Sequence, residues 1–345
     1  MTINRRRALG LGTVAAAGAV LGSTPLASAQ TDPIDDESVI PASAAQARRR
    51  IERVYRREAH RAGGTWSSFI SVTDPDGTPV AAVEDEADRV VEAYSVNKIA
   101  VAAAVLDKID RGLLTLDQRV DVTAAIVSKD GDGIFGFDGA YPSSVTLGHA
   151  MANLLTVSDN TAVRLCGLVC PAAELNEILR AKGFTHTQVK PVANPNRFFL
   201  GTTTPRETHT LLRKLVDGTL VSAASTQYVL TLLRSMAAFT DGIRLELNSA
   251  ERARVATKAG WFNDGRNEAG IVFDAEGKPM VTYSLFASGE FRGDAAANLN
   301  DYSTTHPALR ARVKLGRSMV DAVSRITCAA ARTHRQPVYQ PSNGG

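Results

Sequence analysis

The order in which the hydrophobic periodicity changes along the chain restricts its fold more than any other feature. Alternation with a period of two, typical of strands, is confined to two regions near the ends, while a helical pattern fills the interval from about 95 to 236. A capping box at Ser43 begins a first helix, and a last helix is predicted from 306 to about 332. This order predicts an α/β layer interrupted by an inserted all-helical domain. Five strands are predicted, at 66–73, 78–83, 254–262, 267–273 and 279–287.

The length of 345 residues leaves room for two domains. We place the sheet domain at 30–92 and 240–334, and the helical domain at 93–239. The last segment, 335–345, is polar and rich in Pro and Gly, so we predict that it is disordered.

The first 29 residues have the pattern of an export signal. Three arginines at 5–7 precede an apolar stretch at 8–26, and the small residues A-S-A at 27–29 are typical of a cleavage site. The segment N-R-R-R-A-L resembles a twin-arginine signal. The alternative is a membrane anchor, for which the stretch is weakly hydrophobic. We therefore expect a protein that is secreted or held in the periplasm or cell-wall space, with no stable membrane span after cleavage.

The charge balance follows from that signal. The whole chain has 39 basic and 36 acidic residues, a formal charge of +3. Removing 1–29 takes away three arginines and no acidic residue, which leaves 36 of each. Because no run of basic residues interleaved with aromatic residues remains, we expect no nucleic-acid partner.

Cysteine and histidine are too sparse to suggest a metal site. The three cysteines, at 166, 170 and 328, do not form a disulfide scaffold, so buried free thiols are expected and one bridge is the alternative. No HxxxH or CxxC spacing is present, so we expect neither a metal nor another cofactor. We expect a monomer.

Three short motifs contain the residue types of nucleophilic catalysis. Ser95 and Lys98 form an S-x-x-K tetrad at the start of an apolar helix, where a three-residue step places both side chains on one face. A serine at the positive end of a helix dipole, beside a partly desolvated lysine, favours attack by the hydroxyl. S-D-N follows at 158–160, and K-A-G at 258–260 lies in an apolar strand. The ordinary alternatives are a polar helix start, a helix cap and a strand-edge lysine, respectively.

In this order and spacing, the three motifs resemble those of the serine β-lactamase and penicillin-binding-protein superfamily, most closely its class A β-lactamase branch. The resemblance extends over roughly 45–330 and includes V-S-D-N-T-A at 157–162 and T-T-T-P-R-E at 202–207. It implies an antiparallel five-stranded sheet flanked by the terminal helices, with the active site between the sheet and the inserted helical domain.

The resemblance also implies a role for each motif residue. Ser95 would be the nucleophile and Lys98 its general base. Ser158 would relay a proton from Lys98 to the leaving nitrogen. Lys258 would support this relay electrostatically and attract a substrate carboxylate, and Asn160 would bind the substrate's side-chain amide. The implied reaction is acyl transfer through a serine ester, followed by hydrolysis or transfer.

One departure from the family pattern lies in the third motif. The implied oxyanion hole consists of the backbone N–H groups of Ser95 and Trp261, the residue after Gly260. Ala259 stands where the family usually has Thr or Ser, whose hydroxyl binds the substrate carboxylate; its loss would cost about 1–3 kcal/mol. Arg266 is a candidate substrate-binding residue that would compensate, although an ordinary surface charge is the favoured alternative.

A second departure concerns the omega loop, from which class A enzymes supply a glutamate that activates the deacylating water. No Asp or Glu occurs between Glu177 and Glu207. We interpret Glu207 as the acidic residue of a capping box, not as the base. The base of deacylation is therefore missing, and such a loss lowers a rate by about 10²–10⁴.

These residues favour an exported active-site-serine hydrolase, acylated at Ser95 by β-lactam-like amides and slow or altered in deacylation. One alternative is a D-alanyl-D-alanine peptidase-like enzyme or another acyl-transfer hydrolase, with a peptidyl amide substrate. The other is a protein that binds β-lactams or cell-wall fragments without turnover.

Overall fold

A computed structural model describes residues 39–129, 132–239, 242–329 and 332–337, together with 340 and 342. The predicted export signal and most of the predicted disordered tail lie outside the described residues. Within the described part of the chain, no helix is long and apolar enough to cross a membrane.

The main sheet has five antiparallel strands, which confirms the prediction. Their order is β2-β1-β10-β9-β8, so the two strands of the N-terminal hairpin pair with the three C-terminal strands. β8 is therefore an edge strand of the sheet. The strands are β1 Gly63–Thr73, β2 Pro79–Asp85, β8 Val255–Phe262, β9 Gly265–Phe273 and β10 Pro279–Phe291.

Each face of the sheet is covered by helices. Because side chains alternate across a strand, Val255 and Val272 face one hydrophobic core and Ala256 and Ile271 face another. The first core is closed by the terminal helices α1 (Ala44–Ala62) and α10 (Pro307–Val323). The second core continues into the helical block, whose helices are α2 Lys98–Asp110, α3 Leu147–Thr156, α4 Asn160–Val169, α5 Ala172–Ala181, α6 Pro205–Val216 and α7 Ala223–Leu233. Two short helices complete the described set, α8 Ser249–Arg252 and α9 Ala295–Asn300.

The helical block also contains four short strands, and a fifth, β3 (Val91–Glu92), lies just before it. The sequence analysis predicted none of these five strands. They form one sheet in the order β3-β7-β6 and a hairpin of β4 and β5. Four of these five strands have two or four residues, too few to show a period of two, so the surrounding helical pattern conceals them. The strands are β3 Val91–Glu92, β4 Arg119–Val122, β5 Ser143–Thr146, β6 Gln188–Pro191 and β7 Phe198–Thr203.

The predicted end of the last helix is wrong. α10 ends at Val323, not near residue 332. The chain beyond it instead forms a turn and an irregular segment, in which Ile326 and Cys328 join the core beneath the sheet and the Ala329 N–H donates to the Pro75 carbonyl oxygen. All three cysteines are buried free thiols, as expected.

Candidate active site

The S-x-x-K serine lies on a short 3₁₀ turn at the start of α2. This turn covers Tyr94–Asn97, and Lys98 is the first residue of α2. Tyr94 has a φ of 48°, in the left-handed region, so the chain bends sharply just before Ser95. Ser95 is half-buried, whereas most of α2 is fully buried. The serine is thus presented at the edge of a rigid, apolar helix.

Two buried lysines donate hydrogen bonds to the same hydroxyl. The Lys98 ammonium donates to Ser158 Oγ at 3.0 Å, and the Lys258 ammonium donates to it at 2.9 Å. Lys98 is 0% exposed and Lys258 is 2% exposed. A hydroxyl oxygen has two lone pairs and one proton. With both lone pairs engaged by ammonium groups, the Ser158 proton is left to donate, which is the arrangement that a proton relay requires.

The S-D-N turn is held in place from both sides. It joins α3 to α4, and Ser158 has a φ of 58°. The Asp159 carboxylate caps α4 through the Ala162 N–H and also accepts the N–H groups of Ile134 and Phe135. The helix-cap alternative and the catalytic one are therefore compatible, since Asp159 forms the cap and Ser158 contacts the lysines.

The Asn160 side chain forms hydrogen bonds with both Lys98 and Asp132. Its Oδ1 accepts a hydrogen bond from the Lys98 ammonium at 2.7 Å, and its Nδ2 donates to the Asp132 carboxylate at 3.1 Å. The sequence analysis did not single out Asp132 as a site residue, because its surroundings at 131–136 were interpreted only as a loop near the mouth of the site. The amide of Asn160 is thus oriented by a charge on each side.

The third motif brings the edge strand β8 against the nucleophile turn. A Cβ atom at Gly260 would lie 2.8 Å from the Ser95 backbone nitrogen and 2.7 Å from that of Val96. Only glycine fits at this distance. The next residue, Trp261, follows on the same edge strand. The structure therefore brings together Ser95, Lys98, Ser158, Asn160, Lys258, Gly260 and Trp261.

Arg266 lies apart from this group. It is 0% exposed, so the interpretation as a surface charge is wrong. Its guanidinium donates to the carbonyl oxygens of Asn298 and Asp301 and lies 4.5 Å from the ring centroid of Tyr302. Burial lowers the pKa of this guanidinium. Because the donors of Arg266 fasten the loop after α9, the geometry gives no support to its predicted contact with a substrate carboxylate.

Behind Ala259 lies a buried carboxylate that sequence reasoning missed. Glu268 pairs with Ala259 across β8 and β9 and is 0% exposed. It accepts from the Thr257 hydroxyl at 2.7 Å and forms an ion pair with Arg312 at 3.4 Å. Its position inside an apolar strand pattern was the available signal, since a buried carboxylate needs partners.

The segment in the position of the omega loop forms a hairpin of β6 and β7. The Asn97 amide donates to the carbonyl oxygens of Leu200 and Thr202, at 2.7 and 2.9 Å. The Ala93 N–H donates to the Gly201 carbonyl oxygen at 2.9 Å. The hairpin thus contacts the nucleophile turn through its backbone, and residues 188–203 contain no Asp or Glu.

The capping-box interpretation of Glu207 is wrong. Thr204 caps α6, but the Glu207 carboxylate instead accepts hydrogen bonds from the backbone N–H groups of Thr185, His186 and Thr187. Burial raises the pKa of Glu207, while hydrogen bonds from Thr187 and His186 lower it, and the net pKa is below the usual value. Glu207 is therefore an anion that fastens this loop.

A row of aromatic side chains flanks the oxyanion-hole residue. The Trp261 ring lies 6.0 Å from that of Phe239 and 6.3 Å from that of Tyr302, with interplanar angles of 31° and 26°. Phe239 and Tyr302 are 43% and 45% exposed. These residues are distant in sequence and belong to no motif, so the sequence gives no sign that they meet. Among the described residues, no cluster of His, Cys, Asp or Glu could hold a metal ion.

The comparisons with known structures agree with this fold. A β-lactamase from Xanthomonas campestris superposes with a TM-score of 0.65 at 20% identity, covering 82% of this chain and 100% of that one. One from Sphaerobacter thermophilus gives 0.63 at 19% identity, covering 81% and 98%. An ancestral class A β-lactamase gives 0.62 at 22% identity, covering 79% and 99%. At these identities the likeness concerns the fold. Comparison with curated proteins gave no match.

Family membership comes from the sequence. A profile described as "Beta-lactamase enzyme family" matches residues 46–310, which is most of the chain. The chain therefore belongs to the β-lactamase enzyme family, and it is a serine hydrolase of the β-lactamase type.

Proposed function

We propose that this protein is an exported hydrolase whose Ser95 is acylated by β-lactam-like amides and whose acyl-enzyme is hydrolysed slowly. The observation that carries the proposal is the pair of buried ammonium groups on Ser158 Oγ, at 3.0 and 2.9 Å, beside the turn that presents Ser95. β-Lactams are the substrate class that family membership suggests.

Acylation uses residues that the site already brings together. Lys98, in its neutral form, takes the Ser95 hydroxyl proton as Oγ attacks the amide carbonyl carbon. The carbonyl oxygen becomes an oxyanion opposite the N–H groups of Ser95 and Trp261. As the carbon–nitrogen bond breaks, Ser158 gives its proton to the leaving nitrogen and is reprotonated from Lys98. Lys258 stabilises the negative charge that develops on Ser158 during this transfer.

Deacylation lacks a comparable base. The hairpin beside Ser95 contains no carboxylate, and both oxygens of Glu207 are engaged by hydrogen bonds from Thr185, His186 and Thr187. Without a general base, hydrolysis of the ester would be slower by about 10²–10⁴ than in an enzyme that has one. The acyl-enzyme should therefore accumulate.

The same observation favours a second candidate function, a D-alanyl-D-alanine peptidase-like acyl transferase. Such an enzyme passes the acyl group to an incoming amine, which is itself a better nucleophile than water and needs less help from a base. The substrate would then be a peptidyl amide, and β-lactams would act as inhibitors that remain on Ser95.

One experiment separates these possibilities. The protein lacking residues 1–29 is incubated with a chromogenic cephalosporin, and ring opening and intact mass are followed together. We expect a burst of one equivalent, then slow turnover, with an adduct at Ser95 that is absent in Ser95→Ala. Fast turnover without an adduct would refute slow deacylation. Cleavage of an acyl-D-Ala-D-Ala peptide would favour the peptidase. No adduct and no turnover with either substrate would leave only a binding role.

A Glu207→Gln variant tests the assignment of Glu207. We expect a lower melting temperature, because the loop at 185–187 loses its ionic acceptor, and an unchanged rate of adduct decay. A tenfold slower decay would instead identify Glu207 as part of the deacylation machinery. Glu177→Gln, the same change on an exposed face of α5, is the matched control for stability.

Export is proposed from the sequence of residues 1–29. The predicted outcome is a mature protein outside the cytoplasm that begins at residue 30, as determined by N-terminal sequencing. Replacing the arginines at 5 and 6 with lysine should retain the precursor inside the cell, whereas a lysine at position 7 alone should not. Gel filtration of the mature protein checks the expected monomer.

A further inference from the structure

The side of β8 that faces away from Lys258 presents apolar side chains beside the oxyanion hole. Side chains two residues apart on a strand share a face, so Ala259 and Trp261 lie side by side next to the oxyanion hole. Ala259 supplies a methyl group at the position where the resemblance leads one to expect a hydroxyl for a substrate carboxylate. The hydrogen bonds of Lys258 run to Ser158 Oγ and to the Ala259 carbonyl oxygen, at 2.9 and 2.7 Å.

A small pocket lies beside Ala259. Its volume is about 10 Å³, roughly the room for one water molecule. The charged side chains that line it are one ammonium, from Lys258, and one carboxylate, from Glu268. A second carboxylate placed here by a substrate would meet no hydroxyl at residue 259, and the hydroxyls of Thr156 and Thr257, which also line the pocket, already donate to the Ala152 carbonyl oxygen and to Glu268. It would have the Lys258 ammonium as a partner but would lie close to the Glu268 carboxylate. Burying an anion beside another anion with few hydrogen-bond donors is unfavourable.

The neighbouring surface is aromatic. Phe239 lines the same pocket, and its ring is part of the row that includes Trp261 and Tyr302. The guanidinium of the buried Arg266 stacks against the Tyr302 ring and donates a hydrogen bond to the carbonyl oxygen of the preceding residue, Asp301. These contacts fix the position of Tyr302. About two-fifths of Phe239 and of Tyr302 is exposed. A fixed and exposed aromatic row binds planar apolar groups by stacking.

We propose that the group next to the scissile amide nitrogen of the substrate is neutral, planar and apolar, and that it binds to the row formed by Phe239, Trp261 and Tyr302. This inference rests on the proposed function, since it concerns the substrate that acylates Ser95. It replaces the free carboxylate that the family resemblance leads one to expect. Trp261 then acts in two ways: its backbone N–H stabilises the oxyanion, and its ring contacts the substrate group next to the scissile nitrogen.

The test compares three probes that differ in one group. They are a penicillin free acid, its methyl ester and its benzyl ester, and the acylation rate of Ser95 is measured for each by ring opening and intact mass. We expect the methyl ester to react about tenfold faster than the free acid, the effect of one charged group without its hydrogen bond. The benzyl ester should react about 2- to 10-fold faster than the methyl ester, the range for one aromatic contact.

Variants identify the groups responsible. Ala259→Ser adds a single hydroxyl beside the pocket of about 10 Å³, and it should raise the acid-to-methyl-ester rate ratio about tenfold. Phe239→Ala and Tyr302→Ala should each bring the benzyl-to-methyl ratio close to one. Leu113→Ala removes an apolar side chain that is 59% exposed and lies beyond the far end of α2, and it should leave every ratio unchanged. Ratios within one variant are insensitive to a partial loss of folded protein.

The outcomes distinguish the two proposals. A free acid that reacts as fast as its methyl ester, or a benzyl preference that survives both aromatic replacements, would overturn this inference and leave acylation of Ser95 intact. If none of the three probes opens or forms an adduct, the proposed function is refuted, and the inference falls with it.

Discussion

Replacing Gly260 with alanine tests how closely β8 approaches the nucleophile. The added Cβ would lie 2.7 Å from the Val96 nitrogen, 2.8 Å from the Ser95 nitrogen and 2.9 Å from the Ala93 carbonyl oxygen. These are backbone atoms, so no flexible side chain can move aside. To restore an ordinary contact of 3.4 Å, the strand and the turn must separate by about 0.7 Å.

A displacement of this size affects the reaction more than the fold. Because a misplacement of about 1 Å can cost a factor of about 10², we expect acylation of Ser95 to slow by 10- to 100-fold. Overpacking should lower the free energy of unfolding by about 1–3 kcal/mol. Acylation is measured by ring opening of a chromogenic cephalosporin, with adduct mass as the second readout. Unfolding is measured in urea.

The matched control is Gly136→Ala, whose Cβ would meet only the Ser128 carbonyl oxygen at an ordinary 3.6 Å. This variant should acylate within about twofold of the unmodified protein. If Gly260→Ala also acylates at that rate while remaining folded, then the close approach of β8 does not constrain the nucleophile turn, and the reasoning from this contact is wrong.

Three further predictions concern the supports of the site. Asn97→Ala removes both hydrogen bonds that the Asn97 amide donates to β7, so the free energy of unfolding should fall by about 1–3 kcal/mol and acylation should slow. Urea unfolding and adduct formation measure these two effects. Asp159→Ala should speed amide hydrogen exchange at 134–135, whose N–H groups lose their acceptor. Burial, with nearby arginines, lowers the pKa of His209 to about 3. Below pH 6.5 the unfolded chain then binds a proton that the folded chain does not, so stability should fall by about 1.4 kcal/mol per pH unit between 6.5 and 3. His209→Gln should reduce this slope.

The fold could be predicted from the sequence where its elements are long. The strands of the main sheet alternate with a period of two over at least six residues, and the capping signal at Ser43 correctly predicted the start of α1. β3 and three of the four short strands of the helical block were missed because two or four residues show no period. The end of α10 was misplaced because the local pattern stays compatible with a helix, while contacts of Ile326 with the sheet core decide the conformation.

The residues of the site likewise fall into those that could be predicted from the sequence and those that could not. Residues within motifs, such as Lys98 and Ser158, were identified because the chemistry restricts both their type and their spacing. Glu207 and Arg266 were misinterpreted because their partners are backbone groups that are distant in sequence, and such groups have no signature. Glu268 could have been noticed, since a carboxylate within an apolar strand must have buried partners.

The two halves of acyl-enzyme chemistry depend on different kinds of contact in this chain. Acylation depends on side chains, because the two lysines must reach the hydroxyl of Ser158. The hairpin β6–β7 meets the nucleophile turn through carbonyl oxygens, at Leu200, Gly201 and Thr202. A carbonyl oxygen can accept a hydrogen bond from a water molecule and orient it, but it cannot take the proton away at neutral pH. The absence of a base in this hairpin is therefore a reason for the proposal that water attacks the acyl-enzyme slowly.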